Sequence, residues 1–168
     1  MEADPNYWKR IYKNDWVKGA RREIYVRDLL RKLFPWLTVE LTGYGAGRKN
    51  YVPLSSHEKG EPDITVSNQG ELLCVIEVSG TDIELKPWDD IWVRPDKFEH
   101  AMKSTVKTWF YMIYANKQYV LDVEDILPFK TNIKTKYLKG PEFPENYILV
   151  PCSSAHPREK LLHWLSNS

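Results

Sequence analysis

The chain has 168 residues, of which 42% are hydrophobic and 13% aromatic, so it is long enough to bury the core of one domain. No hydrophobic stretch approaches the roughly 20 residues that a membrane-spanning helix needs, and residues 1–10 are polar, unlike a signal peptide. The two cysteines, Cys74 and Cys152, lack the spacing of a zinc site. We therefore expect a soluble, intracellular, single-domain protein over residues 1–168, without membrane partners or a disulfide framework.

The net charge of +1 conceals an uneven distribution of charge along the chain. Residues 9–32 contain nine lysines and arginines against three acidic residues, whereas residues 61–100 contain ten acidic residues against three basic ones. A third stretch, residues 129–140, has no acidic residue and carries Lys130, Lys134, Lys136 and Lys139. This pattern suits a metal site flanked by phosphate-binding surfaces, and it suits ordinary solvated helix faces and loops equally well.

The first predicted element is a helix over residues 19–34, which ends before Pro35. Its apolar positions have roughly the spacing of an amphipathic helix: Ile24, Val26, Leu29, Leu30, Leu33 and Phe34. A strand is predicted over residues 37–44. The glycine-containing segment 45–50 is predicted to be a loop, because no helical pattern follows its Gly-x-Gly. The four histidines do not form a catalytic or metal-binding set by their spacing, so each is expected to be incidental. His57, downstream of this loop, is the one most worth testing.

Two strands that each carry one carboxylate are predicted next. In residues 60–66 the side chains of Asp63 and Thr65 alternate with apolar residues, and the turn Asn68-Gln69-Gly70 favours an antiparallel hairpin. Residues 72–76 are apolar without alternation, which is typical of a strand covered on both faces, and Glu77 follows them directly. A carboxylate at the end of a buried strand requires a partner.

The remaining elements alternate between helices and strands. Residues 81–90 are predicted to be a polar connection, 95–107 a helix with proline in its first turn, 108–115 and 118–123 strands, 147–150 a last strand, and 157–165 a C-terminal helix. This order predicts an α/β fold with a mixed sheet covered by helices. Trp88 and Trp92 are the aromatic residues best suited to stack on bases, whereas the others are assigned to packing.

The two carboxylates of the predicted hairpin are candidates for a divalent-cation site. Asp63 and Glu77 would lie on neighbouring strands, and Mg²⁺ is commonly held by one or two carboxylates together with water and phosphate oxygens. Alternatively, Asp63 is a surface residue of the strand edge and Glu77 forms a salt bridge to a lysine or arginine. No GxSxG, Walker or HExxH pattern occurs, which argues against serine hydrolases, NTPases and zinc proteases.

Pro62-Asp63, followed at hairpin distance by Glu77-Val78-Ser79 and preceded by a helix that contains Glu23, resembles the PD-(D/E)xK nuclease superfamily. This superfamily includes restriction endonucleases and archaeal Holliday-junction resolvases. The resemblance extends over about residues 19–126, and residues 145–166 would add a C-terminal strand and helix. It implies a restriction-endonuclease-like fold with a central mixed sheet flanked by helices.

One position departs from the pattern of this superfamily. The motif lysine, two residues after the second acid, is replaced by Ser79, which shares the strand face of Glu77 and can hold a water or simply end the strand. Some members carry the lysine on the following helix instead. Lys97 lies in the first turn of that predicted helix and is the proposed substitute, with Lys103 and Lys86 as alternatives.

The resemblance implies a DNA endonuclease that depends on Mg²⁺ or Mn²⁺. Asp63 and Glu77 would be metal ligands together with the main-chain carbonyl of Val78, Lys97 would stabilise developing charge, and Glu23 would be accessory. Such folds commonly act as homodimers on DNA. Two alternatives remain open: a nuclease-like domain that has lost catalysis and binds DNA or serves assembly, and an α/β domain whose acids form only structural ion pairs.

Overall fold

The computed structural model describes residues 13–42, 61–138 and 140–168. Its helices are α1 (Lys13–Leu33), α2 (Pro95–Lys103), α3 (Val123–Ile126) and α4 (Glu159–Ser166), with 3-10 turns at Leu127–Phe129 and Cys152–Ser154. Its strands are β1 (Thr38–Leu41), β2 (Ile64–Asn68), β3 (Glu71–Gly80), β4 (Asp90–Val93), β5 (Lys107–Ile113), β6 (Gln118–Asp122), β7 (Ile133–Lys136), β8 (Glu145–Pro151) and β9 (His156–Pro157). The predicted loop at 45–50, His57 and Lys139 lie outside the described residues.

Six strands form the central sheet, in the order β1-β2-β3-β5-β6-β9. β3 and β5 are parallel and the other neighbours are antiparallel, so the predicted mixed sheet is confirmed. The parallel pair is joined by a connection that contains β4 and α2, because parallel neighbours need a long crossover.

The hairpin of β2 and β3 forms where the sequence predicts it. Its turn contains Gln69 at φ 51° and Gly70 at φ 83°, two successive left-handed residues of the kind that tight hairpins require. Ile64 pairs with Ile76, and the register shifts between Val66 and Ser67. The strand β3 is covered on both faces from residue 74 to residue 77, although Leu72 near its start is 42% exposed.

Helix α1 packs on one face of the central sheet. Its buried stripe is Glu23, Val26 and Leu30, at the i, i+3, i+7 spacing of one helix face. Ile24 and Leu33, which the sequence pattern assigned to the apolar face, are 41% and 43% exposed because they lie beside this stripe rather than on it. The helix also begins earlier than the predicted residue 19 and ends two residues before Pro35.

A second sheet of three antiparallel strands, in the order β4-β8-β7, was not predicted. Residues 81–90 were expected to be a connection, yet Asp90 begins β4, and β7 has four residues that are mostly exposed. Strands this short carry no hydrophobic period of their own. Their pairing with β8 creates them: β4 is remote from β8 in the sequence, whereas β7 forms a hairpin with it.

The core has two parts, one on each face of the central sheet. Alternate residues of β5 point to opposite faces, so this strand contributes to both. α1 and α4 cover one face, with a core that includes Val26, Leu30, Ile64, Ile76, Trp109, Tyr111, Leu161 and Leu165. α2 and the second sheet cover the other face, with a core that includes Ile91, Val93, Phe98, Phe110, Leu121, Ile126 and Ile148.

Two element boundaries differ from the sequence prediction. α2 ends at Lys103 rather than at residue 107, because Ser104 is extended (ψ 138°) and its hydroxyl accepts the N–H of Val106 at 3.2 Å. α4 begins at Glu159 rather than at residue 157, because β9 pairs with β6. None of the helices within the described ranges is long and apolar enough to cross a membrane.

Candidate active site

Asp63 lies immediately before β2 and is held by its backbone on both sides. Its N–H donates to the carbonyl of Ile76 at 3.1 Å, and its carbonyl accepts the N–H of Thr42 at 2.9 Å. The carboxylate is 7% exposed, and its Oδ2 accepts the N–H of Val78 at 2.8 Å. Asp63 is therefore a fixed, buried carboxylate bound to the end of β3.

Glu77 faces Asp63 across the hairpin. Asp63 precedes Ile64 and Glu77 follows its partner Ile76, so the two acids occupy the next cross-strand position, where side chains project from the same face of a sheet. Glu77 is 6% exposed. Its burial, and then the adjacent charge of Asp63, raise the pKa of Glu77 well above its ordinary range, although the ammonium of Lys97 opposes this shift. The two carboxyl groups therefore repel each other in a buried site.

Lys97 reaches this pair of acids from α2. Lys97 lies in the first turn of α2, which begins at Pro95. Because side chains on a helix point back towards its N-terminus, the side chain of Lys97 is directed past the start of α2. The ammonium lies 3.1 Å from Oε2 and 3.2 Å from Oε1 of Glu77, and it donates to the carbonyl oxygen of Glu61 at 2.8 Å. The sequence analysis proposed Lys97 as the substitute for the missing motif lysine, and the ammonium of Lys97 lies beside Glu77.

The two alternative lysines are located elsewhere. The ammonium of Lys86 lies 5.6 Å from the ring centroid of Trp88, and both residues are exposed. Lys103 is exposed in the last turn of α2, whereas Lys97 is in its first turn. The geometry therefore favours Lys97.

The carbonyl of Val78 faces Asp63. A strand residue directs its N–H and its C=O to the same side, and the N–H of Val78 donates to the Asp63 carboxylate. Successive residues of a strand direct their backbone groups to opposite sides. In agreement, the N–H of Thr81, three residues after Val78, donates to Ile113 of β5 at 2.9 Å. Ser79 shares the face of Glu77 and is exposed, so it lies towards solvent at the end of the same strand.

Glu23 is 4% exposed in the buried stripe of α1. The neighbouring Arg22 packs its side chain against Gly80, so this part of α1 crosses the carboxyl end of β3. α1 covers the face of the sheet opposite to that of α2. Glu23 thus lies at the same end of the sheet as Glu77 but on the other face.

The donor atoms of this site suit a hard divalent cation. The described residues contain no group of three or more histidine, cysteine, aspartate or glutamate side chains that could hold a metal ion. Asp63, Glu77 and the carbonyl of Val78 offer oxygen atoms alone, and a cation between the two acids would offset the repulsion that raises the pKa of Glu77. Mg²⁺ is commonly bound in this way, with water and phosphate oxygens completing its ligands.

Comparison with solved structures identifies the fold. The chain is similar to D212, a nuclease from a fusselovirus, with a TM-score of 0.52 and 22% identity over 85% of this chain and 88% of that chain. The chain has a restriction-endonuclease-like fold. It is also similar to Hjc, a Holliday junction resolvase from Archaeoglobus fulgidus, an archaeal hyperthermophile, with a TM-score of 0.45 and 14% identity over 86% of this chain and 94% of that chain.

The restriction-endonuclease-like fold that the sequence resemblance implies is thus confirmed. No protein-family model matches the sequence, and no curated protein matches it. The resemblance is therefore carried by the order of the elements and by a few spaced residues rather than by overall sequence similarity.

Within this restriction-endonuclease-like fold, sequence reasoning missed two residues that position the site. The hydroxyl of Thr42 donates to the carbonyl of Pro62 at 2.6 Å, which fixes the backbone next to Asp63. A Cβ on Gly80 would lie 2.1 Å from the carbonyl oxygen of Ile113, so glycine allows β3 and β5 to approach closely beside the site. A threonine after a strand carries no motif, whereas a glycine inside a strand is a recognisable signal of close backbone approach.

Proposed function

We propose that the protein is a metal-dependent DNA endonuclease that hydrolyses phosphodiester bonds. The observation that carries this proposal is the pair of buried carboxylates, Asp63 and Glu77, which face each other on adjacent strands with the Lys97 ammonium 3.1 Å from Glu77. Burying two acids beside one lysine is unfavourable unless a cation offsets their charge. A nuclease fold makes such a cation functional.

Asp63, Glu77 and the carbonyl of Val78 would hold Mg²⁺ or Mn²⁺. When bound, such a cation polarises the scissile phosphate and lowers the pKa of a coordinated water. Lys97 would stabilise the negative charge that develops on the phosphate, since its ammonium already lies beside the acids. Ser79 would hold a water at the exposed end of the site. Glu23, at the same end of the sheet but on its other face, would act as an accessory carboxylate from a distance rather than as a metal ligand.

The assignment of DNA as the substrate rests on the charge pattern and the fold. Basic stretches bracket the acidic centre in sequence, and phosphate contacts supply much of the affinity for nucleic acids. We further propose that the protein acts inside the cell and as a homodimer, because two sites would allow both strands of a duplex to be cut.

The alternative of an inactive DNA-binding or assembly module is less well supported. It rests on Ser79 at the position of the motif lysine, and it predicts that no other lysine approaches Asp63 and Glu77. The contact of Lys97 with both carboxylate oxygens of Glu77 instead favours hydrolysis.

The proposal is tested by cleavage of supercoiled plasmid with Mg²⁺, with Mn²⁺ and with EDTA. We expect metal-dependent nicking by the wild type and a loss of about a thousandfold or more in Asp63→Asn and Glu77→Gln, because each change removes a charged ligand. The matched control is Asp122→Asn, which alters a buried, lysine-paired carboxylate elsewhere and should cleave normally. Cleavage that persists in EDTA, or in both ligand variants, would contradict the proposal.

Metal binding can be measured independently of activity by thermal unfolding. A cation that binds only the folded protein stabilises it, by about 2.7 kcal/mol at 100 times its dissociation constant. We expect Mn²⁺ to raise the melting temperature of the wild type and of Asp122→Asn but not of Asp63→Asn. Equal shifts in all three proteins would place the cation elsewhere.

A further inference from the structure

The outer face of the second sheet combines basic and aromatic side chains. Adjacent strand residues alternate between faces, and Ile91, Val93 and Ile148 point into the core. The intervening residues therefore point outwards. Register pairs Trp92 with Leu149 and Lys134 with Tyr147. We call the set Trp92, Lys134, Lys136 and Tyr147 the hairpin face.

The side chains of the hairpin face contact one another. The rings of Trp92 and Tyr147 are 5.4 Å apart at an interplanar angle of 41°. The ammonium of Lys136 lies 4.7 Å from the centroid of the Trp92 ring, a cation–π contact that holds its charge on this face. The hydroxyl of Tyr147 donates to Glu145 at 2.8 Å, so this acid is already engaged. Lys134 is exposed.

The hairpin face extends past the end of β4 that is followed by α2, the helix that carries Lys97. β4 ends at Val93, opposite Ile148, which in turn pairs with Ile133. The hairpin of β7 and β8 extends beyond this level to Lys136. From Val93 the chain passes directly into α2, whose first turn carries Lys97. Tyr137, just beyond Lys136, is 57% exposed.

We infer that the hairpin of β7 and β8, together with Trp92, is a DNA-binding arm that contacts backbone phosphates flanking the scissile bond. This inference rests on the proposed nuclease function. The charge of β7 supports it, because this strand carries Lys134 and Lys136 and no acidic residue, whereas the acids of the same face, Glu145 and Asp90, lie on β8 and at the start of β4. The catalytic region is acidic and would repel DNA without such basic residues. Lys134 and Lys136 supply the phosphate contacts, and the exposed ring of Tyr137 can stack on a base.

Lysines on an exposed edge strand also have a simpler role, which is to prevent edge-to-edge pairing with another sheet. That role requires no DNA. The two explanations differ in the effect that neutralising the lysines has on affinity for nucleic acid and on its dependence on salt.

The test is binding of a short fluorescein-labelled DNA duplex, and of its single strand, measured by anisotropy in EDTA over a range of salt concentrations. The variant is Lys134→Gln/Lys136→Gln. Its matched control is Lys103→Gln/Lys160→Gln, which removes the same charge from exposed lysines in the last turn of α2 and the first turn of α4, outside both basic stretches. We expect affinity to fall about tenfold in the variant, with a salt slope for the duplex smaller by about 2, and neither effect in the control.

A folding defect is distinguished by thermal unfolding of both variants and by Lys134→Arg/Lys136→Arg, which keeps the charge and should keep the affinity. Equal affinity of the variant and the control would overturn the inference while plasmid cleavage by the wild type left the nuclease function standing. If the variant binds DNA less tightly but the wild type does not cleave plasmid, the DNA-binding arm would be supported and the nuclease function would be overturned. A wild type that neither binds nor cleaves DNA would overturn both.

Discussion

Two buried pairs of a carboxylate and a lysine lie at opposite ends of the parallel strands β3 and β5. Glu77 pairs with Lys97 at 3.1 Å near the carboxyl end of β3, and Asp122 pairs with Lys107 at 2.7 Å near the start of β5. Both acids are less than 10% exposed. By distance and burial alone, the two pairs would be assigned the same role.

Their surroundings give them opposite properties. Asp122 caps α3 by accepting the N–H of Asp125 at 3.0 Å, and Asp125 in turn contacts His156 at 2.8 Å. Burial alone would raise the pKa of Asp122, but hydrogen bonds from Lys107 and from the backbone of Asp125 outweigh it and lower the pKa. Glu77 faces another carboxylate instead, and its pKa is raised. An acid whose hydrogen bonds outweigh its burial stabilises the fold, whereas an acid that is buried against a second carboxylate gains stability from a cation bound between them.

The largest expected difference between the pairs is in catalysis. Lys97→Met should lower the rate of plasmid cleavage by about 10²–10³-fold, because it removes a charge that would stabilise the transition state. Lys107→Met should cleave within a few-fold of the wild type. The measurement is the single-turnover rate at saturating enzyme with Mg²⁺. Equal losses in both variants would mean that the rate reports folding rather than chemistry.

The second expected difference is in the free energy of unfolding without metal. Asp122→Asn should lose about 2 kcal/mol, because the change weakens the hydrogen bond from Lys107 while the site stays buried. Glu77→Gln should be unchanged or more stable, because it relieves repulsion from Asp63. Urea denaturation in EDTA measures both values. A Glu77→Gln protein as unstable as Asp122→Asn would make the two pairs structural equivalents.

The smallest expected difference is in acid stability. Because the pKa of Asp122 is lower in the folded protein than its ordinary value of 3.8, its contribution is present above that value and is lost as the pH falls through the folded pKa. Asp122→Asn should therefore lose stability less steeply below about pH 4, by a slope of no more than about 1.4 kcal/mol per pH unit. Urea titrations at successive pH values measure this slope, and parallel curves for the two proteins would contradict the assignment.

The sequence predicted those parts of the molecule that depend on local patterns. The hairpin of β2 and β3 was predictable because alternation, a turn with Gly70 and a buried apolar run all occur within one short segment. The candidate acids were predictable for the same reason, since Asp63 and Glu77 flank that hairpin. Lys97 required the family resemblance as well, because nothing in its own neighbourhood distinguishes it from a solvated helix lysine.

The second sheet could not be predicted, because β4 pairs with a strand remote in the sequence and β7 has no strand pattern of its own. β7 has only one apolar residue, Ile133, and becomes a strand by pairing with β8. The hydrogen bond from Thr42 to Pro62 is equally invisible, since it joins residues on either side of a long connection. The face of the sheet on which Glu23 lies also depends on how α1 packs, and the position of Glu23 in the sequence does not determine that packing.

The source of the ammonium group has a consequence for how the site is assembled. In this chain the acids come from the sheet and the lysine from a helix that packs over it. Their alignment therefore depends on the core between the layers, to which Phe98 of α2 and Phe110 of β5 both belong. A shift of α2 by a fraction of an ångström would alter the site without changing any of its residues. The site is therefore adjustable from a distance, because a partner, a ligand or a substitution that moves α2 would also move the ammonium of Lys97 relative to the two carboxylates.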